Sequence, residues 1–365
     1  MKVIDIDSHS RPRTQDYVIE PEYVHLRPKV YTDAKGNRRE VFNNKVMTVR
    51  TKGELDIAAK EGKTDWGLAG FDAEVRYRHV KEAGIDFQFV SAGSVGEFSY
   101  IDGKIGAAFC RSSNNFIYET FMKPYPDKFT GLPQLPLQDI PEAMKELERC
   151  VTELGMRVFL MPTNWNGIDM SDPYWWNFWD KVRELGITGI VLHIGSLRGP
   201  WVGKERLEVL GPDGTTGRRI ISQPFEYCTN IINLIFGGMM DSFPEFRFAF
   251  LEAGAEFAVM LKHRIKENLE QIGYLRDMLS NPLEKYYDRF YFLVDDVLLE
   301  EDGKRLRYAV EELGVDHLFF GTDYPHLDGH LDTCTKVREL SWLNQEAKEK
   351  ILGKNVEILL GNKKV

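Results

Sequence analysis

From residue 73 onward the chain alternates helical stretches with short apolar ones, and that alternation limits the fold more than any other feature. Residues 73–83 carry mixed charges at helical spacing and stop at Gly84, a residue that accepts the left-handed turn by which helices end. A strand is expected at 85–90. The pairing then recurs: helix 105–125 before strand 129–137, 141–154 before 157–161, 173–185 before 189–194, 224–236 before 247–251, 256–272 before 289–294, and 303–313 before 318–320. With an opening strand at 3–7 the strands number eight. Apolar strands separated by helices call for a parallel sheet covered on both faces, and eight such units call for closure into a (β/α)8 barrel of the α/β class. An open doubly wound sheet is the alternative, but no G-x-G-x-x-G follows the first strand. The segment 344–361 reads as helical and is expected to pack outside the barrel.

The 365 residues fit one barrel, 1–365, with an insertion at 11–70 that does not follow the repeat. Within it, 29–32, 39–42 and 45–49 read as a β-meander joined by turns at 33–37 and 43–44. A lid or an oligomer arm is the expected role, and with it a homodimer. Lys and Arg total 47 against 56 Asp and Glu, a formal charge of -9, which argues against nucleic acid as a partner and leaves a small molecule. Cys110, Cys150, Cys228 and Cys334 are scattered, with no C-x-x-C pair, so buried free thiols in a reducing cytoplasm are expected. No apolar stretch is long enough to span a membrane.

In such a barrel the C-terminal ends of the strands build the site. Four of these ends carry metal-ligand residue types: Asp7-Ser8-His9 after strand one, His193 after strand five, Glu252 after strand six and Asp323 after strand eight. Each alone has an ordinary structural explanation, as a core histidine, a helix-end carboxylate or a turn cap. Together at one mouth they read as a divalent metal site with Asp7, His9, His193, Asp323 and Glu252 as ligands. Zinc is placed first; three carboxylates leave manganese or iron open, with one ion or two. Such an ion would lower the pKa of a bound water and polarise a carbonyl, Asp323 could take the water's proton, and Glu252 could serve as acid/base or bridge a second ion. If Phe248 and Phe250 fill the barrel interior, Glu252 shares their side of the strand. Arg11, Arg198, Trp201 and His326 are candidate substrate-binding residues.

These residues resemble a family. From Ile4 to about Gly361 the chain resembles the amidohydrolase superfamily, in the amidohydrolase-2 branch of aminocarboxymuconate-semialdehyde decarboxylase, γ-resorcylate decarboxylase and zinc-dependent C–C hydrolases; segments 131–139 and 321–326 carry the likeness most clearly. The resemblance implies a (β/α)8 barrel with metal at its strand ends. Asp7 stands where many members have His and some decarboxylases Glu, while His193 and Asp323 match the strand-five and strand-eight ligands. Glu252 departs: many members have there a His that activates water or polarises substrate. The expected function is hydrolysis of a small carbonyl or acyl substrate (amide, ester, thioester or C–C bond) by metal-bound water. The alternatives are nonoxidative decarboxylation of an aromatic or unsaturated acid, and a non-catalytic barrel with a vestigial metal site.

Overall fold

Eight parallel strands run in sequence order around one interior. The computed structural model describes residues 2–43, 45–93, 97–194, 202 and 218–361. Ile4–Asp5 (resumed at His9–Ser10), Phe87–Ala92 and Phe129–Leu132 form one arc, while Phe159–Met161, Gly189–Leu192, Arg247–Phe250, Phe290–Val294 and Leu318–Phe320 form the other. Strand one meets strand eight through His9 N–H to Tyr324 O (2.7 Å) and Asp323 N–H to Asp7 O (2.9 Å). Strands three and four share no hydrogen-bonded ladder among the described residues. Packing joins them instead, because Ile4, Phe89, Leu132, Leu160, Val191, Ala249, Leu293 and Phe319, one from each strand, lie in a single buried cluster. The expected (β/α)8 barrel is this fold.

Alternate residues of the same strands face outward, where Val90, Phe159, Ile190, Phe292 and Phe320 pack with helix side chains in the largest cluster. Covered on both faces, the strands are apolar at nearly every position, which is why they read as continuous runs in sequence. Phe248 and Phe250 belong to this outer layer, whereas Ala249 and Leu251 face the interior. The premise that the two phenylalanines fill the barrel is therefore wrong. Carboxylates start the helices: Asp72 accepts from Glu74 and Val75 N–H ahead of Ala73–Glu82, and Asp139 accepts from Glu142 N–H ahead of Ile140–Thr152.

Three further expectations change. The strand expected over 129–137 stops at Leu132, since Pro133 and Pro136 lack the N–H a ladder needs. The helix expected over 303–313 starts at Asp296 and is broken at 300–303, with Glu301, Asp302 and Gly303 left-handed. The 344–361 segment packs outside the barrel only in its first part, where Ala347, Ile351 and Leu352 join the outer layer. Val356 and Leu359 of its last helix, Asn355–Leu359, join the interior cluster with Leu360 just after it, and Asn355 Nδ2 donates to Val315 O (2.8 Å) and Leu318 O (2.7 Å), so that this helix enters the barrel. It plugs the end of the barrel opposite the strand C-termini.

The insertion holds the expected meander, Lys29–Thr32, Arg38–Phe42 and Lys45–Arg50, all antiparallel. Phe42 anchors it against Tyr17, Phe98 and Phe109. A small hairpin, Asn164–Trp165 with Ile168–Asp169, was not anticipated. All four cysteines are buried thiols outside any disulfide. Among the described residues no helix is long and apolar enough to cross a membrane.

Candidate metal centre

Strand one carries a bulge that aims its ligands. Asp5 pairs with Gln88 and His9 with Ser91, so four steps along strand one oppose three along strand two. The extra residue reverses the alternation: Ile4 and Ile6 face the interior before it, and the odd-numbered His9 faces inward after it. Buried Asp5 organises the bend, accepting from Asp7 N–H (3.0 Å), Gln88 Nε2 (2.8 Å), Thr322 N–H (3.2 Å) and Thr322 Oγ1 (2.6 Å). Behind it the fully buried Arg76 donates to Ala69 O (2.9 Å), Ser8 Oγ (3.1 Å), Gln88 Oε1 (2.6 Å) and, at very short range, His9 O. Sequence reasoning passed over Asp5, Arg76, Gln88 and Ser91. The one available signal was an arginine four residues before Val80 on the buried face of its helix.

The predicted ligands converge. His9 Nε2 lies 3.0 Å from Asp323 Oδ1, 3.5 Å from Asp7 Oδ1 and 3.6 Å from Glu252 Oε1. His193 Nε2 lies 2.9 Å from Glu252 Oε1, whose other oxygen accepts from Gln223 Nε2 at 3.1 Å. His326 joins them, its Nδ1 2.6 Å from Asp323 Oδ1 and its ring stacked on that of His9. The donor atoms form two overlapping sets, Asp7, His9, His193 and Glu252 in one, His9, Glu252, Asp323 and His326 in the other. Glu252 (φ 59°) and Asp323 (φ 53°) are both left-handed. At Glu252 that conformation turns inward a side chain that simple alternation after Leu251 would send outward. Such backbone costs on the order of 1–3 kcal/mol and persists where surrounding contacts hold it.

A divalent cation fits this donor set. Both carboxylate oxygens of Asp7, His9 Nε2 and Asp323 Oδ1 are buried without a hydrogen bond; the 3.0 Å approach of the last two is not aligned as one. Each such orphan costs about 1–3 kcal/mol. His193 Nδ1 faces Ile194 O at 2.8 Å and must donate there, so its Nε2 can turn a lone pair toward the centre. Without a cation the cluster holds protons instead. Burial, reinforced by the Glu252 charge, raises Asp7 to about 6 and Asp323 to about 7. Burial also works against the charged forms of Glu252 and His9, but it is outweighed. His193 and His9 hold Glu252 well below the usual carboxylate range, and Asp323, Asp7 and Glu252 hold His9 well above the usual imidazole value. A metal ion would take over the role of those protons.

Of the substrate-binding candidates, Arg11 sits at the rim, its N–H bonded to Gly70 O (2.7 Å) and its charge sensed by Asp323 and by Arg50 and Arg38 of the meander. Burial first, then Arg50, pushes it down to about 10. His326 lies in the centre itself. Arg198 and Trp201 fall outside the described residues.

The sequence profile of the amidohydrolase family matches residues 6–361. The chain belongs to the amidohydrolase family. Among individual members, it is 26% identical over 295 residues to a 2-amino-3-carboxymuconate-6-semialdehyde decarboxylase of Dictyostelium discoideum, covering 80% of this chain and 77% of that one. To a gamma-resorcylate decarboxylase of Polaromonas it is 24% identical, covering 68% and 76% respectively. The crystal structure of a dihydroxybenzoic acid decarboxylase from Polaromonas, with bound manganese and the inhibitor 2-nitroresorcinol, superposes with a TM-score of 0.68 at 19% identity, covering 100% of this chain and 98% of that one. The family is one of enzymes, and its members named here are carboxy-lyases. The decarboxylase alternative is therefore better supported than the hydrolase reading placed first from the sequence.

Proposed function

We propose that this enzyme is a metal-dependent nonoxidative decarboxylase of an aromatic or unsaturated carboxylic acid. The observation that carries the reading is the buried oxygen and nitrogen donor set at the barrel mouth, with Arg11 beside it, in a chain whose relatives split C–C bonds to carbon dioxide. Asp7, His9, His193 and Asp323 would hold a divalent ion, with Glu252 against it. When bound, the ion supplies a Lewis acid that fixes the substrate carboxylate and a neighbouring oxygen. Manganese and iron suit three carboxylates as well as zinc does.

The chain's own groups do the rest. Arg11 gives the substrate's anionic end a guanidinium partner at the rim. Decarboxylation replaces the carboxylate by a hydrogen, so one proton must reach the carbon that loses carbon dioxide, and the C–C bonding pair passes into the substrate's π-system or onto that carbon. Asp323, on the strand-eight turn with His326 Nδ1 2.6 Å from its Oδ1, is the carboxylate placed to pass that proton. Glu252, its Oε1 toward His193 and His9 and its Oε2 held by Gln223, suits the complementary task of steadying positive charge.

Isotopic labelling tests the reading. Manganese-loaded enzyme is given dihydroxybenzoates and a carboxymuconate semialdehyde in deuterated, oxygen-18 water. Carbon dioxide release with one deuterium at the vacated carbon and no oxygen-18 in the organic product is expected. Oxygen-18 in the organic product would restore the hydrolase reading.

A further inference from the structure

We propose that Tyr227 is a positioning residue: with Gln223, one helical turn before it, Tyr227 holds Glu252 in its left-handed conformation and so keeps that carboxylate turned to His193. The proposal rests on the metal-centre reading above but not on which bond the enzyme breaks.

The two residues share the buried face of the helix Gln223–Phe236 and reach the end of strand six at two points. The Tyr227 hydroxyl lies 2.8 Å from Leu251 O and 3.1 Å from Leu192 O, and it has one hydrogen to give. Leu192 O already takes the Leu251 N–H at 3.1 Å, so the hydroxyl proton belongs to Leu251 O. That carbonyl is part of the peptide plane that leads into Glu252. Beyond the Cα, Gln223 Nε2 donates to Glu252 Oε2 at 3.1 Å. The φ of 59° at Glu252 is the rotation between the plane that Tyr227 pins and the side chain that Gln223 pins. Strand six has ended at Phe250, so its ladder does not impose that rotation.

The two grips act on the site through Glu252. With both in place its Oε1 stands 2.9 Å from His193 Nε2 and 3.6 Å from His9 Nε2. Released, Glu252 would relax toward the extended backbone that a residue with a Cβ prefers, and simple alternation after Leu251 would then send its carboxylate toward the helices. Packing alone does not account for a tyrosine here. The buried ring lies against Phe250 and Phe257, with centroids 5.2 and 5.7 Å away, and a phenylalanine would fill that space as well. A hydroxyl carried into such a layer costs free energy unless it is bonded, and its bond goes to the carbonyl next to Glu252.

The test compares Tyr227→Phe, which deletes only the hydroxyl, with Phe257→Leu, which loosens the same packing and keeps the hydroxyl. Crystal structures of the metal-free proteins read the Glu252 backbone, chelator competition with Mn(II) reads the centre, and thermal unfolding confirms folded chains. In Tyr227→Phe, Glu252 should leave the left-handed region, its carboxylate should part from His193, and Mn(II) affinity should fall about 10–100-fold. Phe257→Leu should lower the melting temperature but keep the Glu252 geometry and the affinity. Should Tyr227→Phe not fold, Gln223→Met carries the same two measurements with the same result expected. A folded Tyr227→Phe with Glu252 still left-handed and turned to His193 would overturn the proposal, as would wild-type affinity in that variant or an equal loss in Phe257→Leu. Wild type that takes up no Mn(II) would instead remove the metal-centre reading, and the crystal structures alone would then decide this inference. Neither measurement involves turnover, so failure of the proposed decarboxylation would leave it untouched.

Discussion

The Ser91 hydroxyl oxygen lies 2.8 Å from His9 Nδ1, across the pair that the strand-one bulge brings into register. With the Nδ1 proton donated to Ser91, Nε2 is left as a bare lone pair aimed at the carboxylates. A serine that settles the tautomer of a proposed ligand would act on metal binding without touching the metal. Ser91→Ala is therefore expected to weaken Mn(II) binding about 10–100-fold, the usual worth of such support. The melting temperature of the metal-free protein should barely move, because one hydroxyl on a barrel strand contributes little to the core. Chelator competition measures the first quantity, and unchanged affinity would remove Ser91 from the site.

The insertion should matter to the centre through Lys63. Its ammonium donates to Leu327 O (2.8 Å) and Gly329 O (3.2 Å), carbonyls of the loop that follows His326, and it lies over the Trp66 ring. Close by, Asp65 and His79 reach Tyr324 Oη through a chain of contacts at 3.0 Å and 2.7 Å. Lys63→Met keeps the aliphatic stem and leaves two carbonyls unpaired, a loss of about 1–3 kcal/mol. It is expected to weaken metal binding as well as lower the melting temperature, since the loop continues directly from the turn that carries Asp323 and His326. A lower melting temperature with wild-type affinity for Mn(II) would confine the insertion to a stabilising role.

Asp7, His9, His193 and Asp323 were legible in the sequence because each ends an apolar run, and barrel topology gathers strand ends without further information. The residues that aim them were not. Ser91 and Gln88 act on residues about eighty positions away, and their roles appear only once a bulge sets the register. Glu252 was reached from its strand end, but the alternation offered for its inward direction has a false premise, and its left-handed backbone supplies the true cause. For 344–361, amphipathic spacing revealed helices but not the surface they cover. Whether such a face lies on the helical ring or under the barrel depends on where the chain has room. Tight approaches mark the place, with Gly189 so close to Leu359 O that a side chain there would stand 2.8 Å away.

That close approach gives a prediction far from the metal. Gly189→Ala adds a Cβ 2.8 Å from Leu359 O and 3.1 Å from Leu359 Cγ, so the plug must shift. Overpacking of this kind costs about 1–3 kcal/mol. Thermal unfolding should show the loss while Mn(II) binding at the opposite end of the barrel stays near wild type. An unchanged melting temperature would mean that the last helix is not seated against strand five.

The meander carries a pH dependence of its own. Asp33 closes its first turn, accepting from Lys35 N–H (2.9 Å), Asn37 N–H (3.0 Å), Asn37 Nδ2 (3.1 Å) and Arg39 Nε (3.1 Å). The Asn37 amide above all, with the other donors, holds its carboxyl at about 2 against an ordinary 3.8. A depressed carboxyl gives support that is present above the ordinary value and lost as pH falls from about 4 through about 2. At pH 6, amide exchange at Lys35 and Asn37 should be faster in Asp33→Ala than in wild type. That difference should vanish below about pH 2, where protonation has already removed the carboxylate in wild type. Equal exchange at pH 6 would show that the turn holds without Asp33.

Glu252→Gln decides what the departure from the family's histidine means. The side chain faces inward by virtue of its left-handed backbone, with Oε1 toward His193 and His9 and Oε2 held by Gln223. Glutamine can keep the shape and a contact to His193, but it carries no negative charge. If Glu252 is a metal ligand, the substitution should weaken manganese binding and lower the manganese retained after gel filtration. If it steadies charge in the substrate instead, manganese content should hold while turnover falls by about two to four orders of magnitude, as for loss of an acid/base group. The two outcomes separate because metal content is measured without substrate. Full metal content with near-normal turnover would exclude both roles and leave Asp323 to carry the proton unaided.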